Sequence, residues 1–216
     1  MAKVIVDSIA EQLVAALREE ILSGAMKPGD QLNLEQVATR WDISMTPVRD
    51  AVRALEEKGF VRIKPRVGVF VSEMDVQSFR EVFEIRIALE CQAVKSAIRR
   101  LPKKEIEEVI AKYKLAAEKA KSTGDVSLLA KHDELVHQLI EDYCENKRLV
   151  ALMHELKDLV RWVRRTVVQH LSHAYEAAVE EHLEILDALE RQDETGAESA
   201  MRRHLQKSCE RTIAAW

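Results

Sequence analysis

Beyond Asp75 this chain almost never interrupts a helix. Over its last two thirds the only glycine and proline residues are Pro102, Gly124 and Gly196. Apolar residues there recur at helical spacing, and the periodicity predicts helices at roughly 75–100, 103–121, 125–144, 147–171, 174–191 and 194–214. Pro102, Gly124, Asn146 and Gly196 fall at or near the junctions. About 140 residues of this kind form one all-α bundle with a single core.

The first third reads differently, because seven of the ten glycines and prolines precede residue 69. Ile9, Leu13, Leu17 and Ile21 predict a helix from about Asp7 to Ser23, stopped by Gly24. Lys27-Pro28-Gly29-Asp30 is a turn. Asn33 starts a second helix that ends near Trp41, and Asp42-Ile43-Ser44-Met45 forms the next turn. A third helix follows, then strands at about Val61–Ile63 and Val69–Val71, joined through Lys64-Pro65-Arg66-Val67-Gly68. The fold class is therefore mainly α: an N-terminal winged helix-turn-helix over residues 1–72 and a C-terminal helical bundle over 73–216.

The third helix, within residues 44–60, has the features of a groove reader. Thr46 is the expected N-cap, with Pro47 at the first helical position, where its missing N–H costs nothing. Val48, Ala51, Val52 and Leu55 face inward, Arg49 and Arg53 share the opposite face, and Gly59 suits a left-handed C-cap. Arg49 is the first candidate for a base or phosphate contact, since an arginine fork can bond guanine twice. Its bland alternative is an ion pair with Asp50 or Glu56. Ser44 and Thr46 can reach phosphate, Arg53 sits further along, and Met45 could meet a thymine methyl. Arg66 and Gly68 are the candidates on the wing, whose alternative is a plain hairpin turn.

A net charge of −4 does not oppose this reading. Residues 1–72 carry ten Lys/Arg and ten Asp/Glu, so the acidic excess lies in the bundle. Lys58, Arg62, Lys64 and Arg66 then form a run with no acid between them. Cys91, Cys144 and Cys209 are odd in number and widely spaced, as expected of buried thiols in a reducing compartment. No membrane span or signal peptide is evident, so the expected location is the cytoplasm.

The motifs Lys27-Pro28-Gly29-Asp30-Gln31-Leu32, Ile43-Ser44-Met45-Thr46-Pro47-Val48-Arg49-Asp50-Ala51-Val52, Leu55-Glu56-Glu57-Lys58-Gly59-Phe60 and Arg66-Val67-Gly68-Val69-Phe70-Val71 resemble the GntR family of bacterial transcription factors. Phe83 to Glu90, Asp133 with His137, Glu181-His182 through Asp193, and Ala200 to Leu205 resemble its FadR-type (FCD) effector domain. The resemblance implies a homodimer on a palindromic operator whose affinity responds to a metabolite. Met45 and Glu35 stand where relatives often carry arginine, and Asp50 where glutamate is more frequent, so operator preference does not carry over.

Spacing singles out four of the bundle's polar residues. Asp133 and His137 are four apart on one predicted helix. His182 and His204 lie symmetrically about Asp193, so an antiparallel hairpin turning there brings their imidazoles level. Three imidazoles and a carboxylate suit Zn²⁺, Ni²⁺, Mn²⁺ or Fe²⁺. The resemblance to metal-binding FCD domains implies that Asp133, His137, His182 and His204 are the ligands. Such an ion leaves positions for a small organic acid, whose far end Arg86 would hold. The alternative for Arg86 is an intrahelical pair with Glu90, and Arg161 and Arg165 are weaker candidates. An open site of this kind is also compatible with a metalloenzyme or a metal-ion sensor, although no nucleophile or general base accompanies the ligands.

Overall fold

A computed structural model describes residues 8–124, 129, 132–167 and 172–216, and the side chains of all of these except 165–167 and 172–176. The chain forms two compact units. One comprises the residues through Asp75 with the segment Asp158–Thr166, and the other Val76–Lys157 with Val167–Trp216.

In the first unit, α1 (Ile9–Leu22) begins with a capping box, in which Ser8 accepts from the Glu11 N–H and the Glu11 carboxylate accepts from the Ser8 N–H. Its Leu13, Leu17 and Ile21 are buried and pack on the third helix. A two-residue strand β1 (Gln31–Leu32) precedes α2 (Leu34–Trp41), whose first turn is capped by the Asn33 side chain. The helix α3 (Met45–Glu57) follows, then β2 (Val61–Lys64) and β3 (Gly68–Val71). The sheet has the order β1-β3-β2, antiparallel throughout, with Leu32 opposite Val69 and Lys64 opposite Gly68.

Two expectations here need correction. The N-cap of α3 is Ser44, not Thr46, and Pro47 is its third residue. That placement still costs no hydrogen bond, because the first four N–H groups of a helix have no helical acceptor. The strand β1 is an addition. Two residues carry no periodicity, and their pairing is supplied wholly by β3. The end of α3 is as expected: Gly59 sits at φ +80, its N–H bonds Glu56 O, and the Phe60 N–H bonds Leu55 O. This is a Schellman motif.

The second unit contains α4 (Val76–Ala97), α5 (Lys103–Thr123), α6 (Leu135–Tyr143), the first half of α7 (Lys147–Val167), α8 (Ser172–Glu190) and α9 (Glu194–Ala214). The helix expected over 125–144 is interrupted: residues 129 and 132 are helical, residues 133 and 134 form a turn, and α6 begins at Leu135. Residues 125–128, 130 and 131 from its expected start, and 168–171 from the end of the next helix, lie outside the described residues. α8 and α9 make an antiparallel hairpin, turned by Gln192 at φ +54 and capped where Asp193 accepts from the Gly196 N–H. α9 packs on both α8 and α4, α5 packs on α8, and α6 packs on α4. Phe79, Phe83, Ile106, Tyr113, Ile140 and Ile185 fill the core between them. Among the described residues, no helix is long and apolar enough to cross a membrane.

Candidate nucleic-acid interface and metal centre

The amphipathic α3 buries Val48, Ala51, Val52 and Leu55 and exposes Ser44, Thr46, Arg49 and Arg53. Neither arginine has a carboxylate partner among the described residues. Glu56, one conceivable partner of Arg49, instead accepts from the Ile63 N–H at 2.8 Å and ties the helix to the wing. The Ser44 hydroxyl makes no capping bond.

The wing is a three-residue turn between β2 and β3. Arg66 is exposed at φ +62, and Val67, 63 % exposed, is its tip. Gly68 adopts φ +147, a conformation that residues with side chains rarely adopt, so the position is structural as well as a candidate contact. Gln31 donates to Val67 O, a prop that the sequence reading missed because it depends on the unforeseen β1. Lys64 lies over the Phe70 ring, 4.6 Å from its centroid, which leaves Arg66 as the more available cation.

Within the second unit, His137 of α6, His182 of α8 and His204 of α9 converge, with one ligand atom from each inside a mutual 4.8 Å. All three are buried, and the Tyr113 ring closes one side, 5.3 Å from His182. His182 Nε2 and His204 Nε2 are 3.1 Å apart. Two nitrogens about 2.1 Å from a common ion, at angles of about 90–110°, would be about 3.0–3.4 Å apart, so this spacing fits adjacent ligands on one metal. Asp133 stands in the turn before α6 and is not part of the three-residue cluster, but its charge acts on His204.

Each of two imidazoles is backed by a carboxylate. Glu90 of α4 contacts His137 Nδ1 through one oxygen and Arg86 Nε through the other. Arg86 thus forms the intrahelical pair that was the alternative to effector binding. Glu181 of α8 contacts His204 Nδ1 at 2.9 Å and receives both Arg211 NH1 and NH2, at 2.7 and 2.8 Å. Glu181 adjoins His182 in the sequence, and neighbours on a helix diverge from each other. It does diverge from His182, and it reaches His204 across the hairpin instead.

These surroundings set the protonation states. Burial pushes Glu181 up, but the hydrogen bonds from Arg211 and His204 outweigh it and bring it down to about 2. Burial likewise opposes ionisation of Glu90, yet the charge of Arg86 and the hydrogen bonds from His137 and Arg86 hold it well below the usual carboxylate range. Burial lowers His204 to about 4 against the raising effect of Glu181, so at neutral pH it is an uncharged imidazole, the form that binds metals.

Residues 9–71 match the bacterial regulatory proteins of the gntR family, and residues 81–207 match the FCD domain. The chain belongs to the GntR family of transcriptional regulators, in the branch that carries an FCD domain. It is 29% identical over 205 residues to the HTH-type transcriptional repressor RspR of Escherichia coli K12, covering 94% of this chain and 88% of that one. Among solved structures, E. coli McbR/YncC shares the fold with a TM-score of 0.73 at 22% identity, over 97% of this chain and 99% of that one. A GntR protein from Rhodococcus sp. RHA1 gives 0.75 at 20% identity, over 97% and 100%. The family and its named relatives are DNA-binding transcriptional regulators, not enzymes.

Proposed function

We propose that this regulator senses a small metabolite, a carboxylate, through a divalent metal in its helical domain, and that occupancy of the domain changes its grip on a palindromic operator. The observation that carries the reading is the buried cluster of His137, His182 and His204, with two Nδ1 atoms engaged by carboxylates and the Nε2 atoms of His182 and His204 at ligand spacing. Zn²⁺, Ni²⁺, Mn²⁺ or Fe²⁺ suits this donor set, with Asp133 as the fourth protein ligand. The ion would supply a Lewis-acidic site for the effector's carboxylate. Arg86, its Nε taken by Glu90, has its terminal N–H groups for the effector's other end.

Operator reading is assigned to Ser44, Thr46, Arg49 and Arg53 on α3 and to Arg66 and Gly68 on the wing. One chain supplies one reading helix, so two chains related by a two-fold axis read the two half-sites. Residues 1–72 serve as the reading domain and 73–216 as the sensing and dimerisation domain, in a cytoplasmic homodimer.

The test is a gel-shift titration of the protein's own promoter DNA by metal-stripped protein, by metal-loaded protein, and by each with a panel of small carboxylates. Operator affinity should change only when metal and a carboxylate are present together. A change with metal alone identifies a metal sensor instead. No change with any combination overturns the effector reading.

A further inference from the structure

The two carboxylates behind the histidines do more than fill the core. Glu90 and Glu181 are 4 % and 7 % exposed, and each is shared between an arginine and an imidazole Nδ1. An ionised carboxylate only accepts hydrogen bonds, so the Nδ1 it faces must carry the proton. The other nitrogen, Nε2, then presents a lone pair. We propose that Glu90 and Glu181 are positioning residues that hold His137 and His204 in the Nδ1–H tautomer, and so preset two of the centre's ligand atoms before a metal arrives. This rests on the metal reading given above.

The arrangement crosses between elements. Glu90 on α4 sets His137 on α6, and Glu181 on α8 sets His204 on α9. α8 therefore contributes one ligand, His182, and also the group that orients its neighbour's ligand. Arg86 and Arg211 keep both carboxylates charged and in place. A consequence follows for His182. Its Nε2 lies 3.1 Å from His204 Nε2, and if the latter is a lone pair, His182 must carry its proton on Nε2. In the metal-free protein His182 is thus the opposite tautomer, and it alone must move a proton from Nε2 to Nδ1 to become a ligand. The imidazole stays neutral throughout, so no net proton is released.

Long-range ¹H–¹⁵N correlation spectra of metal-stripped, full-length protein at neutral pH read the tautomers, with assignments from single histidine variants. His137 and His204 should show protonated Nδ1 and bare Nε2, and His182 the reverse. A protonated Nε2 on neutral His137 or His204 overturns the proposal. Calorimetric titration with Ni²⁺ then compares wild type with Glu90→Gln and Glu181→Gln, whose amides can turn either an oxygen or an N–H toward Nδ1. Affinity should fall roughly 10–100-fold in each, as is usual when such an outer partner is lost. Equal affinity in all three proteins overturns the positioning role. If a variant fails to fold, the wild-type tautomers decide alone. Wild-type protein with the expected tautomers but no nickel uptake overturns the metal reading and upholds the carboxylate assignment.

Discussion

Arg49 shows how a common residue becomes informative through what surrounds it. It is exposed on a helix whose other face is the core of its unit, it has no carboxylate partner among the described residues, and Glu56 is engaged by the Ile63 N–H. Replacement by alanine should weaken specific operator binding by about 1–3 kcal/mol, the worth of a bidentate base contact, with no change in melting temperature. Arg66→Ala should act differently. If it meets phosphate, it lowers affinity for all sequences and reduces the salt dependence of binding by about one charge, which competition at several salt concentrations would show. Gly59 concerns stability alone. Its φ of +80 closes the Schellman motif, and an added methyl would meet nothing nearer than 3.9 Å. Gly59→Ala should therefore cost about 1–2 kcal/mol in urea denaturation through backbone strain only. At this level the sequence was legible where chemistry repeats locally: Arg49 and Gly59 could be read from helical spacing. Glu90 could be read as a partner of Arg86 four residues away, but the contacts of Glu90 and Glu181 with His137 and His204 could not, because those partners come from other helices and no local pattern joins them.

Elements were legible in proportion to their length. α1, α2, α3 and the wing strands follow from apolar period and turn residues, since each buries a face that the period alone defines. β1 was not legible, because its Gln31 and Leu32 are strand only by pairing with Phe70 and Val69. The turn that breaks the helix at residues 133 and 134 was not legible, because no glycine or proline marks it. That turn matters to the centre, since it puts Asp133 outside the regular helix that positions His137. The caps separate structural from functional side chains. The Asn33 side chain accepts from Gln36 N at 3.1 Å, so Asn33→Ala should cost about 1 kcal/mol of stability. Ser44 caps α3 without a side-chain bond, so Ser44→Ala should stay within about 0.5 kcal/mol of wild type. Chemical denaturation of both variants checks the contrast, and a loss of operator affinity confined to Ser44→Ala would mark its hydroxyl as a phosphate contact.

For the molecule as a whole, the helical domain is organised around a polar centre inside an apolar bundle, and this has a pH consequence. Burial, opposed by Glu181 and Asp133 and aided by His137 and Arg86, lowers His204 from 6.5 to about 4. Between those values the unfolded chain binds the proton and the folded chain does not. The stability of metal-free protein should therefore fall as pH drops through this window, by up to about 1.4 kcal/mol per pH unit from this group, and His204→Gln should flatten the profile. A bound metal would oppose the loss, because a ligand held only by the folded state stabilises it. The decisive measurement is the metal content, by inductively coupled plasma mass spectrometry, of tag-free protein from metal-supplemented growth, with the double variant His182→Ala/His204→Ala beside it. One ion per chain in the wild type and none in the variant is the expected result. A wild type without stoichiometric metal, or a folded double variant that retains it, would contradict the assignment of this histidine centre.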